Sequence, residues 1–333
     1  MNIGVISVTK QGDKIADKVI DFMAATLYSK STISNFNLMN ITKELMEKCD
    51  AIIFIASTGI AVRAVAPYLK NKAVDPAVLV VDCSGNFVIS LLSGHLGGAN
   101  ELALRVADLI KAQPVITTAT DNLGLTAPDM IAKDNNLIIE DLKKAKIIAA
   151  KMVEGQTVAF IDEKKLLAVP KGYVDGEKLL TVPNIVYVTN KLNLPEKFID
   201  SSIEALKLIR RDIILGIGCR KDYNSDKMRK TIIEALVKEN IDRRSVKAIA
   251  TVEIKKEERA IIELAEFLNC PISIFTVDEI KKVQHKYEGS DFVEKTIGVR
   301  AVCEPAVELS KGRLLTGKLS LGGMTLCIGE EIL

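Results

Sequence analysis

The stretch from Asp82 to Glu101 gathers side chains that could do chemistry. It reads Asp82-Cys83-Ser84-Gly85-Asn86, then the apolar segment Phe87–Leu92, then Ser93-Gly94-His95-Leu96-Gly97-Gly98-Ala99-Asn100-Glu101. One of the chain's two histidines lies here, with four glycines within fourteen residues. A neutral imidazole near pH 7 can take or give a proton, which suits hydrolysis by an activated water. Asp82 and Glu101 are the nearby carboxylates expected to hold its tautomer. An apolar run, a glycine turn and an amphipathic helix read as strand, turn and helix. Backbone amides at such a helix start favour a negative group, and glycine lets that group come close. The amides around Gly97-Gly98 are therefore expected to stabilise an oxyanion, worth roughly 3–4 kcal/mol per donor in acyl-transfer sites. Ser93 is not a nucleophile elbow, because Gly-x-Ser-x-Gly is missing.

Three further constellations stand out. Ser57-Thr58-Gly59 follows the apolar run Ala51–Ala56 and leads to Arg63. Gly216-Ile217-Gly218-Cys219-Arg220 follows another strand-like run. A dinucleotide fingerprint would need a third glycine where Lys221 stands, so a nicotinamide enzyme is disfavoured. Arg220, Lys221 and Arg229 instead gather cations, and arginine fits carboxylates bidentately. Near the end, Glu304 precedes Pro305 at a helix entry, and Lys318 and Thr325 fall on the two sides of a hairpin turning at Gly322-Gly323. His285 reads as a solvated residue.

The elements that must position these groups are legible in outline. The chain has 333 residues, nearly half of them apolar, which suggests two or three domains at roughly 100–200 residues each. Residues 1–133 alternate strand and helix: strands at 2–8, 51–56, 77–81, 87–92 and 114–118, helices at 12–27, 60–66 and 97–112. Strands that are continuous apolar runs indicate a largely parallel sheet covered on both faces. Residues 134–210 form a small middle subdomain, with a helix over 137–153 and strands at 157–162, 166–169 and 185–189. Residues 211–333 form a second α/β domain with an antiparallel hairpin. There, Asn224 or Ser225 caps a helix running to about Asn240, and Thr276 with Glu279 forms a capping box.

Composition excludes several classes. The net charge of +2, alternating in sign along the chain, is far from that of a dedicated nucleic-acid binder. Nine Phe, six Tyr and no Trp leave few platforms for stacking bases. No apolar run reaches the ~20 residues of a membrane span. Six scattered cysteines without Cys-x-x-Cys give no metal or redox motif, and no signal peptide is apparent. A cytoplasmic protein with free thiols is expected.

The run Leu92-Ser93-Gly94-His95-x-Gly97-Gly98-Ala99-Asn100, preceded by Asp82-x-x-Gly85, resembles the hallmark of the cobalamin biosynthesis protein G family, the cobalt-precorrin 5A hydrolases. Ser57 to Arg63, Leu215 to Arg220, Thr296-Ile297-Gly298-Val299, Glu304-Pro305-Ala306 and Lys318 to Thr325 extend the resemblance along nearly the whole chain. Val307 stands where a second alanine is expected, and the amino-terminal part is less typical. The resemblance implies an enzyme of anaerobic cobalamin biosynthesis. Its substrate would be a ring-contracted cobalt-corrinoid carrying a δ-lactone, opened with loss of acetaldehyde. Cobalt would arrive in the substrate, so no resident cofactor or metal is implied.

On this reading His95 is the general base, with Asp82, Glu101 and Glu304 as further catalytic candidates. Substrate contacts are expected from Ser57, Thr58, Gly59, Arg63, Gly85, Ser93, Gly94, Gly97, Gly98 and Asn100, and from Gly216, Gly218, Cys219, Arg220, Lys318 and Thr325. A wide, carboxylate-rich macrocycle suggests a cleft between domains. Neither nucleic acid nor membrane is an expected partner. Handover to neighbouring pathway enzymes and homo-oligomerisation stay open. Two alternatives remain: a non-catalytic carrier of corrinoid intermediates, and an enzyme acting on another polyanionic small molecule.

Overall fold

The computed structural model describes residues 1–71, 74–178, 183–198 and 203–332. It divides into two compact units, Met1–Lys133 with Ala149–Gln156, and Asp134–Ile148 with Thr157–Leu333.

The first unit is built on a six-stranded sheet: β1 (Ile3–Ser7), β2 (Ala25–Ser29), β3 (Ala51–Ile55), β4 (Ala77–Val81), β5 (Phe87–Leu92) and β6 (Gln113–Val115), in the order β2-β1-β3-β4-β5-β6. Its helices are α1 (Lys10–Phe22), α2 (Leu38–Lys48), α3 (Thr58–Val65), α4 (Ala99–Ile110), α5 (Ala119–Asn122) and α6 (Pro128–Asp134). Every residue of β1, β3 and β4 is buried, as continuous apolar runs require when helices cover both faces. Each fully buried Ile or Val there contributes about 1.5–3 kcal/mol of transfer free energy. The helix expected over 12–27 stops at Phe22, because Ala25–Ser29 leaves it to pair with β1. Such pairing is a nonlocal event that helical periodicity does not report.

β5 runs antiparallel to β4, with Val81 opposite Val88 and Val78 opposite Leu92. Only residues 82–86 join the two strands, and a parallel crossover needs about a dozen. The Asp82 carboxylate closes this turn by accepting the amides of Ser84, Asn86 and Phe87 at 3.0, 2.8 and 2.7 Å. Gly85 supplies its positive φ of 72°.

The second unit holds two sheets. The first comprises β7 (Ile138–Ile139), β8 (Ala159–Asp162), β9 (Val174–Asp175), β10 (Asn184–Thr189) and β11 (Glu204–Ile209), ordered β7-β11-β10-β8-β9. α7 (Leu142–Val153) starts later than expected, since Ile138–Ile139 pairs with β11. The strand expected at 166–169 does not form. There the Asp162 carboxylate accepts the amides of Leu166 and Leu167 at 2.8 and 2.9 Å and turns the chain.

The second sheet comprises β12 (Ile213–Cys219), β13 (Val246–Val252), β14 (Ile272–Phe275), β15 (Gly312–Leu314), β16 (Leu319–Leu321) and β17 (Met324–Glu331). Its order is β14-β13-β12-β17-β15, with β16 hairpinned onto β17. α8 (Ser225–Lys238), α9 (Arg259–Leu268), α10 (Val277–Val283), α11 (Asp291–Ile297) and α12 (Cys303–Leu309) surround it. The Asn224 cap and the Thr276/Glu279 capping box form as expected. Gly322 and Gly323 both take positive φ, which a two-residue type I′ turn demands.

Buried ions join these two sheets. Lys207, 1% exposed, reaches Asp242 and Glu140, each at 3.0 Å, while Asn190 bonds Asp212 and Glu330 at 2.9 Å. Burial alone would raise the Asp242 carboxyl, but hydrogen bonds from Arg244 and Lys207 overcome it and hold the pKa at about 2. Among the described residues no helix is long and apolar enough to cross a membrane.

Candidate functional site

The His95 turn is saturated from within. The imidazole Nε2 lies 3.0 Å from Asp121 Oδ2 on α5 and 3.3 Å from the Thr120 hydroxyl. Its Nδ1 lies 3.3 Å from Asp129 Oδ1 on α6. The Asp129 carboxylate, and then Asp121, favour the imidazolium; against the opposing effect of burial they raise the His95 pKa above its ordinary value. Asn100, almost buried, accepts from Ser90 at 2.6 Å and donates to Thr118 and Asp121 at 3.0 and 2.9 Å. Lys133 donates to the His95 carbonyl.

Several expectations need correction here. The carboxylates at the His95 ring are Asp121 and Asp129, not Asp82 or Glu101. Asp82 is bound up in the β4–β5 turn, at the other end of β5. Six residues at ~3.3 Å each separate the two ends of that strand. Glu101 is exposed on the first turn of α4. The amides expected to cradle an oxyanion are mostly spent: those of Gly98, Ala99 and Asn100 donate to the carbonyls of His95, Ser93 and Gly94 at 2.9, 3.1 and 3.1 Å. The glycines serve this tight fold. A Cβ on Gly97 would stand 2.4 Å from Ser93 Cβ, and one on Gly94 would stand 2.7 Å from Asn100 Oδ1.

The antiparallel β5 also divides the expected binding strip. Ser57, Thr58 and Gly59 follow β3, and Gly85 lies between β4 and β5, so these residues share the carboxyl edge of the parallel strands. Arg63 is exposed and donates to the Gly59 carbonyl at 3.2 Å. Ser93 and the His95 turn lie at the opposite edge, where the Ser93 hydroxyl meets the Asp75 carbonyl just ahead of β4. Within this sheet the two groups do not converge.

In the second unit, the carboxyl ends of β12 and β13 and the β16–β17 hairpin enclose a cavity of about 540 Å³. Open α/β sheets bind ligands at such an edge. Gly218, Cys219, Arg220, Lys318 and Thr325, five of the expected contacts, all line it. Gly218 and Thr325 are opposite in register, and the Arg220 amide donates to the Gly323 carbonyl at 3.0 Å. Gly216 does not line the cavity. A Cβ there would stand 1.9 Å from the Cys303 carbonyl, so its task is the close approach of α12 to β12. Glu304 is 6% exposed on α12, with the Cys303 thiol 3.8 Å from its Oε2, and is also absent from the cavity wall. Burial pushes the Cys219 and Cys303 thiols up to about 11, so neither is a thiolate nucleophile near neutrality.

Sequence reasoning missed Asp121 and Asp129 at His95, and Lys255 and Arg300 on the cavity wall. Thr120 and Asp121, just past the strand expected at 114–118, were the available signal for Asp121, and no local pattern marks Asp129. No local pattern marks Lys255 or Arg300.

Family comparisons cover most of this architecture. The family models described as cobalamin synthesis G N-terminal, cobalamin biosynthesis central region and cobalamin synthesis G C-terminus match residues 40–121, 126–197 and 213–329. The chain belongs to the cobalamin synthesis G family. Among its relatives, a Salmonella typhimurium protein named cobalt-precorrin-5A hydrolase is 33% identical, over 98% of this chain and 97% of its own length. A Priestia megaterium protein of the same name is 29% identical, over 92% of this chain and 88% of its own. The family's three matched regions include the His95 turn in the first and the cavity residues of β12, β13 and β17 in the last.

Proposed function

We propose that this chain is a cobalt-precorrin-5A hydrolase of anaerobic cobalamin biosynthesis. One observation carries the reading: relatives bearing that name align with the chain along nearly the full length of both. The reaction opens the δ-lactone of a ring-contracted cobalt-corrinoid. Water adds to the lactone carbonyl, the acyl carbon–oxygen bond breaks, and the released alkoxide takes a proton. The new hydroxyl then loses its proton as the adjacent carbon–carbon bond breaks. Acetaldehyde leaves, and the bond's electron pair passes to the conjugated macrocycle. Cobalt belongs to the substrate, and the enzyme brings no cofactor of its own.

The proton transfers fall to the His95 and Asp121 pair. Asp121, with its side chain 42% exposed, faces solvent and can accept from water, while the His95 imidazolium delivers a proton to the leaving oxygen. Asp129 orients the ring from its Nδ1 side. The raised pKa values of Cys219 and Cys303 remove these two cavity-lining thiols as nucleophiles near neutrality.

Anaerobic incubation of the purified chain with enzymatically prepared cobalt-precorrin 5A tests this, with acetaldehyde assay and product mass. Stoichiometric acetaldehyde with an opened, shortened corrinoid is expected. Tight binding of unchanged substrate would replace the hydrolase with a carrier, and absence of binding would refute the ligand.

A further inference from the structure

The cavity of the second unit has a one-sided wall. Five cations line it, Arg220, Lys221, Lys255, Arg300 and Lys318, and among the described residues no carboxylate does. Elsewhere in this unit buried charges are matched at close range, as Lys207 with Asp242 and Arg210 with Asp162, whereas only Arg300 of these five has an acid within hydrogen-bond range among the described residues. Clustered like charges repel and contribute nothing to folding, so their concentration here points to a ligand. Arg220 and Lys221 make no ion pair among the described residues. Lys318 donates only to the Glu288 carbonyl, at 3.2 Å. Lys255 is 12% exposed, and its nearest acid is Glu258 at 3.8 Å, beyond hydrogen-bond range. Arg300 is half-exposed at the rim, held by Asp291 at 3.1 Å and Glu294 at 3.6 Å on α11.

The rest of the wall is apolar, with Val252, Ile297, Val302, Leu321 and Met324. An apolar surface ringed by cations suits a flat apolar body bearing several carboxylates around its edge. An inorganic anion would leave that apolar surface without a partner, and a nucleotide gathers its charge on one phosphate tail, whereas the cations here are spread around the wall.

We propose that this cavity recognises the peripheral carboxylates of a tetrapyrrole-type macrocycle, with Lys255 and Arg300 as specificity-determining residues beside Arg220, Lys221 and Lys318. The identity of the macrocycle rests on the hydrolase reading, while the polycarboxylate requirement rests on the wall. Arg300 exchanges its α11 carboxylates for those of the ligand.

The test titrates the full chain with uroporphyrin, which carries eight carboxylates, and with coproporphyrin, which carries four, following the visible absorption. Uroporphyrin is expected to bind more tightly, with affinity falling as salt rises. Lys255→Gln and Arg300→Gln should each weaken it by about tenfold, the scale of one charge-assisted hydrogen bond. Asp291→Asn should leave binding unchanged or tighten it, since it frees Arg300. Lys230→Gln, at an exposed cation of α8 that pairs with Glu234 outside the cavity, is the control and should change nothing. Affinities of Lys255→Gln and Arg300→Gln within twofold of wild type would overturn the assignment. If Lys255→Gln fails to fold, Arg300→Gln at the rim decides alone.

Acetaldehyde release from cobalt-precorrin 5A by the wild-type chain separates this inference from the hydrolase reading. Uroporphyrin binding through these cations without acetaldehyde keeps the cavity and loses the reaction. Acetaldehyde release with unweakened variants loses the cavity and keeps the reaction.

Discussion

The His95 turn and the cationic cavity both sit at strand ends among glycines, yet they handle polarity in opposite ways. In the turn every polar group named has its partner inside the unit: imidazole with two carboxylates, Asn100 with Ser90, Thr118 and Asp121, and helix amides with nearby carbonyls. In the cavity, five cations share one wall without an acid among the described lining residues. Glycine content alone would rank the turn as the better ligand cradle. The satisfaction of polar groups reverses that ranking. A saturated network orients a proton-handling side chain, whereas a wall lined by cations and by no acid recognises an anion.

The comparison is sharpest as a split between turnover and binding. His95→Gln should lower turnover by roughly two to four orders of magnitude while uroporphyrin affinity stays at the wild-type level. Turnover that survived the change would remove His95 from the chemistry. The raised His95 pKa has a pH consequence of definite sign. The ion-paired imidazolium stabilises the fold fully below the unfolded-state value of about 6.5, and that stability is lost as pH rises through the raised folded-state value. Thermal melts from pH 6 to pH 9 should therefore fall more steeply for wild type than for His95→Gln. If His95 acts as an acid, kcat should fall over the same window; a rising limb would make it the base expected from the sequence.

Next in size are the two packing glycines, one from each region. Gly216→Ala places a methyl 1.9 Å from a backbone carbonyl, and Gly97→Ala places one 2.4 Å from Ser93 Cβ. Each should destabilise by roughly 3 kcal/mol, read from chemical denaturation, with Gly216→Ala the worse because backbone must move. A mild Gly97→Ala that retained activity would mean the turn is looser than its hydrogen bonds indicate.

The smallest effect belongs to Asp82. Asp82→Ala removes three amide partners in the β4–β5 turn and should cost about 1–2 kcal/mol of stability. Turnover should not follow it. A kcat loss matching that of His95→Gln would restore Asp82 as the orienting carboxylate.

Much of this protein was decided by the order of its residues alone. The buried strands β1, β3, β4 and β12 announce themselves as apolar runs, the Thr276 capping box and Gly322-Gly323 hairpin as short motifs, and the family as the Ser93 to Asn100 run. The antiparallel β5 went unread: its apolar pattern reads as parallel, although the five residues joining it to β4 are too few for a parallel crossover. Partnership was not legible. Asp121 and Asp129 reach His95 from 26 and 34 positions away, and Arg300 joins Arg220 across 80. Local periodicity reports which face of an element is buried, because burial follows from neighbours on the same helix or strand. Which charges meet, which stay unpaired, and whether a glycine serves a ligand or a neighbouring backbone depend on nonlocal packing, and only the tertiary structure decided them.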